Sequence, residues 1–449
     1  MPPKGRSCCH EEGLSLALRM SFNHHRVWKS GEKILFRMFF PFLILQILTQ
    51  DFTGNLFGGS RVVWDLGDRI FTPPGLWLNA RFFHFGYSPP AWSTFSAALH
   101  TIRDIVYLLF SFVVCVVWSI LDRGRENYNR LLYWFSQALI MVLSCIVFAY
   151  GIVKVFPVQM AAPSFSTLQS RVGDLRPFDL LWTTYGYGSP YQTFTGVFEA
   201  MSAILILFSR TRVAGLLIIV SVMINVILLN YTFQIGVLML SFYVLLVALF
   251  LLAPYARPLA DLFFLRQSVS LRGIGYVPAS GLKTLLPKVV GGVLLAASFV
   301  ANTLYVDGIY KRRDSVKRSA QYFRVKHFVL NGDELRPWEN DTLCWRWWNE
   351  RTTAGKRYVT VTPMKLAAAK TYTIERDTVR QSLTLEPLEK GGAPLHFKFT
   401  PLGAGGWQLE GAFGGGVVRA ELLLVGADTA WRLLRTQRTI IALKDGEDQ

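Results

Sequence analysis

Long runs of apolar residues, separated by polar segments, recur between residues 34 and 306 of this 449-residue chain. An uncharged apolar run of roughly 17–25 residues is typical of a helix that crosses a lipid bilayer. The pattern predicts about seven transmembrane helices. They cover residues 34–48, 102–121, 131–156, 194–208, 213–229, 235–252 and 289–306.

Short connectors indicate which of these helices are neighbours. SRTR alone separates 194–208 from 213–229, and NYTFQ separates 213–229 from 235–252. Connectors this short make consecutive helices antiparallel. Residues 51–100, in contrast, are rich in Gly, Pro and charged side chains, and we expect them to form a structured loop on the membrane surface.

The last part of the chain has a different period. Between residues 322 and 443, apolar and polar residues alternate in runs such as FRVKHFVL, RYVTVTP and VVRAELLLV. Alternation with a period of two is typical of β-strands. TYTIERDTVRQSLTLEP predicts two strands around a turn near Asp377 and Thr378. We expect a small antiparallel barrel or sandwich, and we favour a packed domain over a lipocalin-like binding domain.

The fold class that follows is a mainly α membrane helix bundle with a C-terminal all-β barrel or sandwich domain. Five parts are expected along the chain. They are a cytoplasmic tail (1–33), N-terminal transmembrane helices with the surface loop (34–148), a transmembrane core (149–265), a cytoplasmic loop with the last transmembrane helix (266–310), and an extracytoplasmic, periplasmic β-rich domain (311–449).

Composition and charge support a membrane protein. The chain is 51% hydrophobic and only 17% charged, against about 25% charged residues in average soluble domains. Its net charge of +17 does not indicate nucleic-acid binding, because the basic residues gather beside apolar runs and no nucleic-acid-binding motif accompanies them. Their distribution predicts a multi-pass cytoplasmic (inner) membrane protein with its N-terminus inside and its β domain outside. The basic segment KRRDSVKR after Tyr310 opposes this orientation.

Cysteine and histidine positions restrict the chemistry. Cys344 is the lone cysteine of the polar C-terminal part, so that part cannot hold an internal disulfide, and we expect a small buried side chain there. Only seven histidines occur, and none pair at helical spacing inside an apolar run. The sequence therefore predicts no metal site and no haem held by two membrane histidines. It identifies no catalytic residue either.

Six polar residues interrupt or border the predicted helices, and all six are expected at the same depth, in the outward-facing third of the membrane. A charge at the bilayer centre costs about 2.5–3.5 kcal/mol, so such residues usually face the bundle and pair. We expect Lys154 and Glu199 to pair, with hydrogen bonds from nearby asparagines, in a site for the head of an amphipathic ligand. The alternative is that Lys154 snorkels to the surface, as we expect for Arg37, while the others join helices. The candidate ligand-binding residues are Lys154, Glu199, Asn225, Asn230, Asp104 and Gln159.

A set of motifs in the core resembles the DoxX family of membrane proteins. The strings are YGIVKVFPVQ, GDLRPFDLLW, GYGSPYQTFTGVFEA, LFSRT and INVILLNYTF, in this order. The resemblance covers roughly residues 105–265 well and 322–385 more loosely, and is to the long form with extra N-terminal helices and a β-rich tail. Where that family usually has a Gly-Gly pair after the Glu of TGxxE, this chain has Met201 and Ser202.

The resemblance implies an accessory membrane protein that works near membrane lipids and a quinone or other lipophile, together with a redox or envelope partner. Two alternatives remain open. The first is a membrane-embedded enzyme similar to the vitamin K-dependent carboxylases, with Lys154 as the base, although a neighbouring Glu199 would keep that amine protonated. The second is a scaffold that presents the β domain to a partner.

Overall fold

The computed structural model describes residues 27–49, 61–84, 97–170, 172–269, 281–335, 341–353, 355–365, 368–388 and 392–425. The chain forms two compact units. The helical unit comprises Met1–Gln159 with Pro190–Leu304, and the barrel unit comprises Met160–Ser189 with Tyr305–Gln449.

Helices occupy most of the described chain before residue 320. Their bounds are α1 Ser30–Thr49, α2 Arg61–Leu78, α3 Ala97–Leu121, α4 Asn129–Val155, α5 Phe165–Gln169, α6 Pro177–Tyr187, α7 Ser189–Leu205, α8 Arg212–Thr232, α9 Leu238–Leu252, α10 Ala256–Phe263 and α11 Gly281–Ser319.

Five helical stretches within the described residues are long and apolar enough to cross a membrane. They are Ile102–Leu121, Asn129–Val155, Arg212–Thr232, Leu238–Phe263 and Gly281–Arg313. The other two predicted spans are helices as well, but α7 has only 17 residues, and α1 carries Glu32, Lys33 and Arg37. A bundle with membrane-spanning helices is therefore supported, while the number seven stays a prediction.

The prediction of a loop over 51–100 is wrong where the structure describes it. Residues 61–78 form α2, which continues as a π-helical turn over Asn79–Phe83. This helix packs on α3, since the rings of Phe71 and Tyr107 meet edge-on with 4.9 Å between their centroids. Gly and Pro content suggested a loop, yet the helix contains Pro73 and Pro74, and Gly75 lets it approach α3, because a Cβ there would lie 2.8 Å from the Ile102 side chain. The parts 51–60 and 85–96 lie outside the described residues.

Arg37 joins the ends of three helices instead of snorkelling. Its guanidinium is buried and donates to the Tyr128 hydroxyl (2.8 and 3.0 Å), the Ser119 hydroxyl (3.0 Å) and the Asp122 carbonyl (2.8 Å). The Tyr128 hydroxyl in turn donates to the Asp122 carboxylate at 2.7 Å. The expectation that Arg37 snorkels is wrong, because residues of the α3–α4 turn accept its hydrogen bonds inside the bundle. These acceptors lie more than 80 residues further along the chain.

Helices α4 and α7 cross in backbone contact at two glycines. A Cβ on Gly151 would lie 2.6 Å from the Ala200 amide nitrogen, and one on Gly196 would lie 2.6 Å from the Val155 amide nitrogen. A hydrogen bond from the Ser144 hydroxyl to the Ala203 carbonyl (2.6 Å) joins the same two helices. Small residues thus permit the close approach that membrane helices use in place of hydrophobic driving force.

The β domain is a closed antiparallel barrel, which confirms the coarse prediction. Its described strands are β1 Gln321–Leu330, β2 Asp333–Glu334, β3 Trp345–Thr353, β4 Lys356–Pro363, β5 Lys370–Asp377, β6 Ser382–Pro387, β7 Leu395–Leu402, β8 Gly406–Phe413 and β9 Gly416–Leu424. Eight of these nine close the barrel, because β1 pairs with both β3 and β9, while β2 only extends the β1 hairpin. The predicted turn between β5 and β6 is present.

The barrel interior is packed over most of its depth. Inward side chains such as Phe323, Trp348, Leu385 and Val418 are each at most 1% exposed. Alternation along every strand fills the interior with large apolar groups, as in small barrels generally. Cys344 belongs to this core, and burial raises the pKa of its thiol to about 11, so it is an inert small side chain rather than a nucleophile.

The helix crossing yields a first prediction. Gly151→Ala places a methyl group against backbone atoms that cannot rotate away, so we expect a loss of about 1–3 kcal/mol in the free energy of unfolding. Denaturant unfolding of the purified protein measures it. Gly292→Ala in α11 is the matched control, because a Cβ there meets nothing within 4 Å, and we expect no loss. Equal behaviour of the two variants would contradict the close crossing.

Candidate functional site

Lys154 and Glu199 form a buried ion pair, as predicted. Lys154 lies in the last turn of α4, and Glu199 lies in α7. The Lys154 ammonium donates to both carboxylate oxygens of Glu199, at 2.5 Å and 2.6 Å. The side chains are 10% and 2% exposed, respectively. Two charges from separate helices are therefore neutralised inside the bundle.

The glycine crossing explains this geometry. Gly151 precedes Lys154 by one turn and Gly196 precedes Glu199 by one turn, so the backbone contact holds the two side chains on facing surfaces. The ring of Tyr150 lies beside the ammonium, 6.0 Å from its centroid to Nζ. Desolvation makes an isolated buried charge unfavourable, and only the partner charge with its hydrogen bonds offsets that cost.

The same geometry bears on chemistry. Lys154 Nζ contacts both oxygens of the Glu199 carboxylate, so the nitrogen that a general base would use is already engaged. The pair is thus suited to a fixed, neutral polar group and not to a free base. This opposes the role of Lys154 as the base of a carboxylase-like enzyme.

Hydrogen bonds from the two asparagines to this pair were expected, and that expectation is wrong. Asn230 is buried but donates from Nδ2 to the Ser241 hydroxyl at 2.7 Å, which joins α8 to α9. Asn225 is exposed on α8. A helix turns by about 100° per residue, so Asn225 and Asn230, five positions apart, do not share a face. Whether either residue binds a ligand stays a prediction.

Gln159 lies just after α4, beyond the pair. Its backbone N–H donates to the Val153 carbonyl at 3.1 Å. Its side-chain oxygen Oε1 is buried without a hydrogen-bond donor among the described residues. That oxygen is an unfilled acceptor, and the binding of a ligand to it stays a prediction.

Asp104 belongs to a different polar cluster. The Gln46 side-chain amide of α1 donates from Nε2 to the Asp104 carboxylate of α3 at 2.9 Å. Tyr243 of α9 lies beside both residues, and its buried hydroxyl makes no well-formed hydrogen bond to any residue that the structure describes. Gln46 and Tyr243 were missed, although each is a polar group inside an otherwise apolar run, which is the signal that identified Asn230.

An apolar cleft lies between α1, α4 and α9, and two members of this cluster are among its lining residues. Gln46 and Tyr243 are the polar members of its lining, and the remainder is aliphatic, including Leu43, Leu143 and Val247. The cavity volume is about 40 Å³, which is room for a few water molecules at most. An apolar cleft with few convergent polar groups is the usual composition of a small-molecule site.

Within the described residues, no group of three or more His, Cys, Asp or Glu side chains could hold a metal ion. The fold and these polar clusters define a class: a helical protein of membrane type with a C-terminal closed β-barrel. The chain is 33% identical over 116 residues to the uncharacterized protein YwoB of Bacillus subtilis (strain 168), a match that covers 26% of this chain and 73% of YwoB. It therefore belongs to the same family as YwoB.

Other comparisons give no further identification. No family model matches the chain. No solved structure matches it.

Coupling between Lys154 and Glu199 gives a second prediction. We expect Lys154→Met and Glu199→Gln each to cost about 3–5 kcal/mol in the free energy of unfolding, because each leaves an uncompensated buried group. The double variant should lose clearly less than the sum of the two single losses. Denaturant unfolding in detergent measures all four proteins.

Asp307 and Lys311 provide the control pair. Their carboxylate and ammonium lie 2.7 Å apart, yet the side chains are 55% and 78% exposed. Exposed pairs contribute little, so Asp307→Asn and Lys311→Met should be nearly additive. Additive losses at Lys154 and Glu199 as well would count against a buried pair.

Proposed function

We propose that this chain is a DoxX-like integral membrane accessory protein that associates with a quinone or another lipophile and acts beside a redox or envelope partner. In this proposal it lies in the cytoplasmic (inner) membrane, with its N-terminus inside and the barrel outside. The motif resemblance and the arrangement of basic residues support this assignment.

One observation carries the lipophile part of the proposal. Gln46 and Tyr243 line an otherwise aliphatic cleft, and Gln46 also donates a hydrogen bond to Asp104. The Tyr243 hydroxyl lies beside the Asp104 carboxylate but makes no well-formed hydrogen bond to the described residues, so a ligand carbonyl could accept from it. A quinone offers carbonyl acceptors on a ring attached to an apolar tail, which matches an aliphatic cleft lined by two hydrogen-bonding side chains, Gln46 and Tyr243.

The size of the cleft restricts how such a ligand binds. A volume of about 40 Å³ accommodates part of a hydrocarbon chain but not a whole ring. Binding of a ring therefore requires the Tyr243 side chain, which is partly exposed, to swing outwards and place its hydroxyl against a carbonyl. The lysine–glutamate pair on α4 and α7 then holds the bundle together and does not contact the ligand.

Equilibrium binding of decylubiquinone to the purified protein in detergent tests the proposal. Loss of one hydrogen bond should make Tyr243→Phe bind decylubiquinone about three- to tenfold more weakly. Decylbenzene, which lacks carbonyl acceptors, should bind both proteins equally. Tyr231→Phe is the matched control, since Tyr231 is 75% exposed. No saturable binding, or an unchanged Tyr243→Phe variant, would contradict the proposal.

A further inference from the structure

Polar side chains replace apolar ones at one end of the barrel interior. Along β5, Tyr372 and Ile374 are buried and point inwards, and Arg376 is the next inward position. Along β3 the inward row runs from Trp348 to Glu350. On β4, Arg357 has the same alternation as the buried Val359 and Val361. The three strands therefore bring charged groups together at a single barrel end, which we call the barrel mouth.

Arg376 is held rigidly in this mouth. Its Nη2 donates to the Glu350 carboxylate oxygen Oε1 at 2.7 Å, and the Trp348 indole N–H donates to the same oxygen at 2.8 Å. The guanidinium lies over the Trp407 ring, 4.7 Å from its centroid. Its Nε is buried and has no acceptor in the described part of the chain. A fixed planar donor therefore keeps one hydrogen-bonding group unused.

Positive charge exceeds negative charge around the adjoining cavity. Arg351, Arg357 and Arg376 line it with Glu350 as the single carboxylate, and Ser319 and Thr352 add hydroxyl groups. Neither Arg351 nor Arg357 forms an ion pair with a carboxylate of the described residues. The cavity volume is about 340 Å³, which is in the size range of small-ligand sites.

We propose that the barrel mouth binds a phosphate-type oxyanion, with Arg357 and Arg376 as its principal ligands. Planar guanidinium groups match the oxygens of phosphate bidentately, and stacking on Trp407 orients one of them in advance. Glu350 fixes Arg376 and, because it is negative, also weakens the attraction for an anion. The shared chemistry admits a soluble phosphate compound or the phosphate of a lipid headgroup.

Calorimetric titration of the full-length protein in phosphate-free detergent tests this proposal. The probes are inorganic phosphate, glycerol 3-phosphate and dihexanoylphosphatidylglycerol. Arg357→Gln should weaken binding at least about tenfold through loss of a charge-assisted hydrogen bond. Glu350→Gln should strengthen binding several-fold, because Arg376 is then no longer neutralised, and a merely structural carboxylate would give no such gain. Denaturant unfolding checks that each variant is folded.

Arg324→Gln is the matched control, because Arg324 is exposed and alternates with the inward Phe323 of β1. It should leave the affinity unchanged. Saturable binding of the two soluble probes supports a soluble phosphate compound, while binding of the lipid probe alone supports a headgroup. Binding of none of the three probes, or equal weakening by Arg324→Gln and Arg357→Gln, would overturn the proposal. If Glu350→Gln is folded and binds no more tightly, the assigned role of Arg376 is wrong.

Discussion

The buried ion pair between Lys154 and Glu199 is the constraint on which the helical unit depends. Either charge alone would be strongly unfavourable away from water. The two helices that carry them must therefore keep the relative position in which the charges meet. The pair can form only because Gly151 and Gly196 let the backbones of α4 and α7 touch. Sequence, helix packing and electrostatics therefore converge on the crossing of α4 and α7.

Several other polar side chains in the helical unit join neighbouring helices. Asn230 joins α8 to α9 through Ser241, and Gln46 joins α1 to α3 through Asp104. Polar groups used in this way hold helices together without a ligand. The Tyr243 hydroxyl, in contrast, is buried beside Asp104 and makes no well-formed hydrogen bond to the residues that the structure describes. The proposal of a lipophile-binding role therefore rests on that hydroxyl and not on Lys154, which already contacts Glu199.

Much of this arrangement could be predicted from the sequence, because long apolar runs and period-two alternation report burial directly. The Lys154–Glu199 contact followed from the cost of buried charge. Strand β3 was missed, since an irregularity between Trp345 and Trp347 breaks its alternation. Helix α2 was not predicted, because its Gly and Pro content indicated a loop. Contacts of Arg37 and Asn225 depend on helix rotation, which a single sequence does not specify.

Dipolar recoupling by solid-state NMR tests the central claim most directly. The protein would carry ¹⁵N at the lysine ammonium groups and ¹³C at the glutamate carboxylates, and would be reconstituted into lipid bilayers. Comparison with Glu199→Gln assigns the signal of the pair. The structure predicts a strong coupling between Lys154 Nζ and Glu199 Cδ, as for directly hydrogen-bonded groups. A Lys154 ammonium without any coupling to Glu199 in the bilayer would contradict the account.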